Sequence, residues 1–592
     1  MPTALLSEPK AGTKFENRLC LLLLGALLAV GIGSFAASFL PFSLLEAKAR
    51  AMSARGEVPF FDQGFYHDMQ IRLRIFGVAN IVLAAIGFTV RKRIYPVAEQ
   101  ASRDLAQLLE DSKASWKSVP LADRLTVLAL TAAAAVLRFP LLFQPMRGDE
   151  AYSFLTYASH PFYVGLSFYN DTNNHLFNTL LMRLSFLAFG NQPWALRLPV
   201  FFAGICLVPA TYFASRSLYQ KTSALLAPAL VAAASPLIEY STNARGYVLL
   251  CFECLLLISI GAYAVRQCNF AAWGLFATVS AIGFYTMPIM LYPFGGIVAW
   301  LVLSILFDQD KARSRAIVPL AVAVVLAGIA SLELYAPVFA ISGPHAVFGK
   351  KLAAPKPLQE FIYEMPGALA STWEAWNRDL PVWLTAILLC GFAGAVMLHR
   401  RVSSERVPFP VAMLLWLVPL LVAHRVVPFA RVWLFALPFY LIVASAGLSA
   451  ALTPIFEKLR FRHGIVAVAI LACLFLGLEE KRTGSVYLAN EGRGMEDIAL
   501  NLKGQLKPGD SVVAVVPSDT LLLYQFKRQG IPSSYLNGAV GGRALVVVNE
   551  HEGDTVGSVL KTAGRTSLQG EPYKLLAQYE TASLYEVSLP HQ

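Results

Sequence analysis

Residues 124–143 read RLTVLALTAAAAVLRFPLLF, and residues 146–153, just beyond them, read MRGDEAYS. The first stretch is an apolar run of the length that crosses a hydrocarbon core of about 30 Å at about 1.5 Å per residue. The second places two adjacent carboxylates, Asp149 and Glu150, where that run leaves the membrane. Similar runs recur over the first 478 positions. They predict spans over about 19–41, 73–90, 123–143, 195–215, 223–240, 246–265, 270–287, 289–307, 316–336, 382–399, 409–424, 431–452 and 463–478. The expected fold is therefore an α-helical polytopic membrane protein of about 13 transmembrane helices.

Composition agrees, since 56% of the 592 residues are hydrophobic and only 15% are charged. The formal charge of +11 is not laid out as a nucleic-acid stripe. It gathers in turns between apolar runs: Arg91-Lys92-Arg93, Lys311/Arg313/Arg315, Arg400/Arg401/Arg406 and Lys458/Arg460/Arg462. These fall on the same side as Lys10, Lys14 and Arg18, which the positive-inside rule makes cytoplasmic. The N-terminal apolar stretch is too long for a cleaved signal and reads as the first span. The seven cysteines lie in or beside predicted spans, including Cys251 and Cys254 of a CxxC with no further ligands nearby, so packing thiols are expected rather than a disulfide framework. No Gly-rich phosphate motif points to a nucleotide-driven pump.

Residues 1–122 are read as two additional N-terminal spans and a cytoplasmic surface helix over 94–122. Residues 123–478 form a catalytic transmembrane domain with long outer loops at 144–194 and 337–381. Within the first loop, the run Leu176 to Phe189 resembles a span, yet counting it would invert every later basic turn, so it is read as an interfacial helix. Residues 479–592 are expected to be a small extracytoplasmic α/β domain. Its strand-like runs are Ser511 to Val516, Ala544 to Asn549 and Leu575 to Val587, and its helical runs are Asp519 to Gln529 and Thr555 to Lys561.

An acid pair at a membrane surface suits a group transfer in which one carboxylate accepts a hydroxyl proton while cations hold a departing anion. Spacing alone equally allows a solvated acid or a helix N-cap at Asp149. Two neighbouring carboxylates can also raise one another's proton affinity, which suits a base. Arginines at the same face, Arg245, Arg425 and Arg431, have the planar fork that phosphate recognition needs, though snorkelling at helix ends is a competing role. Lys350, Lys351 and Lys356 in the second long loop either cover the anion or form a solvated patch. Glu253, expected within a span, is either a functional acid or half of a buried pair.

Further stretches read Tyr169-Asn170-Asp171-Thr172-Asn173-Asn174-His175, then Phe189-Gly190 with Ala195-Leu196-Arg197-Leu198-Pro199, then Ala244-Arg245-Gly246-Tyr247, and later Arg431-Val432-Trp433-Leu434. With the GDE motif these resemble the bacterial GT-C membrane glycosyltransferases related to protein O-mannosyltransferases and to the lipid A aminoarabinose transferase. The resemblance covers about 145–250 well. It implies a hexosyl- or pentosyl-transferase using a polyprenyl-phosphate sugar, with a glycolipid, glycan or protein acceptor. It implies Asp149 as base with Glu150 beside it; Arg245, Arg425, Arg431, Lys350 and Lys351 on the donor phosphate; and Asn173, Asn174, His175 and Tyr152 on sugar or acceptor. No cofactor is implied beyond a possible divalent cation, and a lone His175 beside two Asn is a poor metal site. The expected location is the bacterial inner membrane, N-terminus cytoplasmic and C-terminal domain periplasmic. A lipid-linked glycan flippase or secondary transporter is the alternative, against which no repeated halves are seen.

Overall fold

The structure is a computed structural model that describes residues 14–52, 61–308, 313–349 and 354–588. Lys350 and Lys351 lie outside these residues, as do Lys10, Lys311 and Phe60. Among the described residues, eight helices are long and apolar enough to cross a membrane, and four shorter apolar helices accompany them. The chain is a multi-pass helical membrane protein, and each predicted span falls on helical structure.

The first two spans pair through small residues. A Cβ on Gly31 would sit 3.0 Å from the Gly77 carbonyl, and one on Gly77 would sit 2.8 Å from the Gly31 carbonyl. Backbones approach this closely in lipid only where side chains are missing, because packing there supplies the attraction that water supplies elsewhere. Gly391 and Gly447 bring the helices Val382–Met397 and Ala436–Lys458 together in the same way, a Cβ on Gly447 meeting the Gly391 carbonyl.

Two predicted elements need correction. The span expected over 73–90 and the surface helix over 94–122 are one helix, Gln63–Ser118, of 56 residues. Past Pro96 it is fastened to the turn after helix Tyr247–Gln267: Asp104 accepts from the Phe270 N–H at 2.7 Å, and the Tyr263 hydroxyl donates to Asp111 at 2.8 Å. The span expected over 223–240 is broken into Leu226–Ala233 and Ser235–Ser241. Pro236 cannot donate to the carbonyl four residues back, which leaves the Ala232 oxygen without its helical partner. The fully buried Arg138 donates to that oxygen at 2.7 Å. A broken helix at membrane depth is tolerated when a neighbour satisfies the freed backbone in this way.

In the C-terminal part, Leu575 to Val587 is not one strand. A turn at Glu580-Thr581 folds it into a hairpin, giving β1 (Ser511–Val513), β2 (Ala544–Asn549), β3 (Tyr573–Tyr579) and β4 (Ala582–Val587) in the order β1-β2-β4-β3. β1 and β2 are parallel and the other pairs antiparallel. β2 is buried on both faces, which explains its continuous apolar run. Ala544, Val546 and Val548 face the helix Val556–Thr562. Leu545 and Val547 share a core with Met146, Ala151, Phe154 and Leu196 of the loop at 144–194 and the helix after it, so packing crosses the expected boundary at 478.

Expected sidedness can be tested at exposed positions of this fold. In a chain with Cys20, Cys206, Cys268 and Cys390 replaced by Ser, an impermeant thiol reagent on intact cells should label Ser534→Cys and leave Ser112→Cys unlabelled until the membrane is opened. The reverse pattern would invert the topology.

Candidate active site around Asp149

The acid pair opens a short helix, Gly148–Ser153, immediately after the third span, and the two carboxylates part company there. Glu150 is fully buried, whereas the Asp149 side chain is 38% exposed. Glu150 accepts from Arg197 Nε at 2.9 Å and Nη2 at 2.6 Å, from the Arg147 N–H at 2.9 Å, and from the Ala244 N–H. Burial on its own would raise the Glu150 pKa, but the charge and hydrogen bonds of Arg197, with those two backbone donors, outweigh it and hold the carboxyl below its ordinary value. Glu150, expected to work beside Asp149, has both carboxylate oxygens engaged by donors of the protein. Arg197 spends its remaining donors on the carbonyls of Leu142, Gln144 and Pro145, which fixes the exit of the third span.

Asp149 faces the other way. Its carboxylate lies 3.2 Å from Arg245 and 3.3 Å from Arg431, and accepts from Asn173 Nδ2 at 3.2 Å. Arg245 Nη2 donates to Asn173 Oδ1 at 2.9 Å, so carboxylate, amide and guanidinium close a triangle. Arg245 sits in the turn between helices Ser235–Ser241 and Tyr247–Gln267, with its side chain 2% exposed. Arg431 opens the turn Ala430–Phe435 before helix Ala436–Lys458 and remains 39% exposed. Asp149 and Arg431 are thus the charged pair that an incoming molecule can reach.

The other predicted residues divide clearly. Tyr152 lies one helical turn from Asp149, its hydroxyl accepting from Asn170 at 3.4 Å, and belongs to the rim of the site. Asn174 is buried and donates to the carbonyls of Gly165 and Phe168, both at 2.9 Å, so it braces the loop instead of meeting a sugar. His175 is buried as well; its Nδ1 accepts from the Gly246 N–H at 2.8 Å. A Cβ at residue 246 would lie 3.2 Å from that ring, so the turn carrying Arg245 approaches only because Gly246 has none. Burial, then Arg245 and Arg431, push the His175 pKa well below its ordinary 6.5 and keep the ring neutral.

Arg425 caps helix Phe409–His424 with φ 50° and is absent from the ion pairs found around Asp149. Lys356 is engaged by Glu360 at 2.8 Å and Glu364 at 2.6 Å. Glu253 accepts from Thr286 at 2.7 Å and pairs with no arginine among the described residues. No three His, Cys, Asp or Glu side chains gather to hold a metal among the described residues. Arg147 and Arg197 lie in the motifs quoted from the sequence without an expected role, and Glu239 lies outside those motifs. Arg147 bridges to Glu239 at 2.9 Å, and Glu239 also takes Arg378 at 2.7 Å.

The structure is thus a bundle of apolar helices with a half-exposed acid between two arginines at the mouth of one span. Residues 151–334 match the family described as dolichyl-phosphate-mannose-protein mannosyltransferase, a segment that begins just after the acid pair. The chain also shares its fold with ArnT from Cupriavidus metallidurans in the apo state, at a TM-score of 0.52 and 12% identity over 78% of this chain and 97% of that one. The same protein bound to undecaprenyl phosphate gives a TM-score of 0.50 at 12% identity, with the same coverage. No curated protein sequence matches the chain.

Removal of one partner from a buried ion pair leaves an uncompensated charge and costs roughly 3–5 kcal/mol. Glu150→Ala should therefore markedly lower the unfolding temperature in detergent micelles, while Asp149→Ala, at a half-exposed position, shifts it little. Equal melting of Glu150→Ala and the parent would remove Glu150 from the scaffold.

Proposed function

We propose that the chain is a membrane glycosyltransferase that moves a hexosyl or pentosyl group from a polyprenyl-phosphate carrier to a hydroxyl of an extracytoplasmic glycolipid, glycan or protein. The observation that carries this reading is the Asp149 carboxylate held between Arg245 and Arg431 within about hydrogen-bonding reach of both. Support for the donor class comes from the family matched over 151–334 and from the ArnT structure that holds undecaprenyl phosphate. The basic turns support an orientation in which the site and the C-terminal region face the outer, periplasmic side of a bacterial inner membrane.

The step is a direct displacement. Asp149 accepts the acceptor's hydroxyl proton, the acceptor oxygen bonds to the sugar's anomeric carbon, and the carbon–oxygen bond to phosphate breaks with its electrons going to phosphate. Charge balances on these side chains alone. Before transfer, two guanidiniums face one carboxylate and one singly charged phosphodiester. Afterwards, they face a protonated Asp149 and a doubly charged phosphomonoester. The arginines that pair with Asp149 in the free protein are released to the phosphate as its charge grows, so their stabilisation is greatest when the bond breaks.

Asn at residue 149 is nearly isosteric with Asp and cannot take the proton. In a reconstituted assay with radiolabelled polyprenyl-phosphate sugars, Asp149→Asn should lower transfer by about a hundredfold or more while leaving carrier binding intact. Arg431→Ala should remove roughly 2–4 kcal/mol of transition-state stabilisation. It is a cleaner probe than Arg245→Ala, which also empties a buried position against Asn173 and His175. Near-normal transfer by Asp149→Asn would end the base assignment. Unaltered surface glycans and glycolipids, by mass spectrometry of cells lacking the gene, would count against the whole reading.

A further inference from the structure

The C-terminal region does not stand apart from the catalytic loop. The Gly148 N–H, the residue before Asp149, donates to Glu491 Oε1 at 2.8 Å. Asn490 Nδ2 donates to the Pro145 carbonyl at 2.8 Å, and Arg147 Nη2 to the Val486 carbonyl at 2.8 Å. A Cβ on Gly492 would collide with the Met146 carbonyl, and one on Gly148 would lie 2.9 Å from Pro517 Cβ, so the two backbones meet where both lack side chains. Glu491 is itself held, its carbonyl accepting from Asn549 at the end of β2 at 3.1 Å. Farther along, Tyr524 packs on Phe154 at 5.9 Å and donates to the Asn191 carbonyl at 2.6 Å.

We infer that Glu491 is a positioning residue for Asp149, and that the C-terminal region is thereby a working part of the transfer site; this rests on the proposed role of Asp149. The argument is one of degrees of freedom. The Gly148 N–H belongs to the first turn of its helix and has no partner within it. Glu150 satisfies the N–H before it and Glu491 satisfies this one. The backbone of the turn is pinned by Glu491, and its carboxylate by Arg245, Arg431 and Asn173. With the backbone pin removed, the turn can rotate about its remaining contacts, and a base displaced by about 1 Å loses up to a hundredfold in rate.

The test uses the full-length protein in micelles or proteoliposomes. Glu491→Ala should lower kcat ten- to hundredfold with the donor KM unchanged. Glu491→Gln, whose amide oxygen accepts the same N–H, should restore most of it. In an Asp149→Asn background, Glu491→Ala should add little further loss, because a base that is absent cannot be misplaced; a general folding defect would add its full effect. Amide exchange over 147–153, read by mass spectrometry, should speed up in Glu491→Ala and not in Glu491→Gln. Should Glu491→Ala fail to fold, Gly148→Ala, which forces Pro517 away, should give the same kcat loss at constant donor KM. Unchanged kcat or unchanged exchange in a folded Glu491→Ala, or equal damage from Gln and Ala, overturns the inference. If Asp149→Asn is fully active while exchange still responds to Glu491→Ala, the base reading falls and the pinning by Glu491 stands.

Discussion

The site hangs on the buried pair between Glu150 and Arg197. One carboxylate collects a side chain from helix Pro193–Leu218, a backbone N–H from the exit of the third span and another from the turn that carries Arg245. No side chain of lower charge could draw these donors together at a point without water, since each would otherwise be left unsatisfied in an apolar setting. With Glu150 facing inward, helical geometry turns its neighbour outward. Asp149 gains its exposure from the burial of the residue beside it.

That arrangement also gives the two acids different surroundings, one enclosed by donors and one half-exposed. An acid facing two cations needs a rigid backbone, or it would drift toward whichever cation offered the better contact. Glu150 fixes the turn from within the membrane side, and the apolar core shared by Phe154, Met182, Ile498 and Tyr524 fixes it from above. The Asp149 carboxylate keeps its exposure while its main chain is held in place.

Much of this was legible in the sequence, and what was missed has physical reasons. Apolar runs pointed to the helices because crossing a membrane sets a minimum apolar length, and the run Leu176 to Phe189 is a helix of those bounds. The break at Ala234 was hidden because Pro236 sits within a uniformly apolar stretch, where hydropathy does not register lost backbone hydrogen bonds. The hairpin at Glu580-Thr581 was hidden because its two residues interrupt an otherwise continuous strand pattern without Gly or Pro. At the site, residue types pointed correctly to charged groups near Asp149, and Arg245 and Arg431 are found there, while Arg425 is not. Spacing could not separate Asp149 from Glu150, because adjacent residues differ only in the face they present. Asn174 and His175 carry the polar character of ligands, yet they are buried and bonded within the protein, to backbone groups and to the side chains of Thr179 and Arg245. The Glu491 contact joins positions 343 residues apart, beyond the reach of any local pattern.

The arginine at the broken helix bears on how the chain enters the membrane. Arg138 ends the helix Leu121–Arg138, but the carbonyl that receives it belongs to Ala232, 94 residues later. A ribosome delivering the chain in order presents the cation with the Ala134 carbonyl of its own helix, at 3.1 Å, long before the Ala232 carbonyl exists. Left in hydrocarbon, an arginine is among the costliest side chains to insert. The guanidinium at this helix end can reach for the interface until residues 226–241 supply the carbonyls of Val231 and Ala232. Closure of the third span onto the broken segment is thereby a late event in assembly.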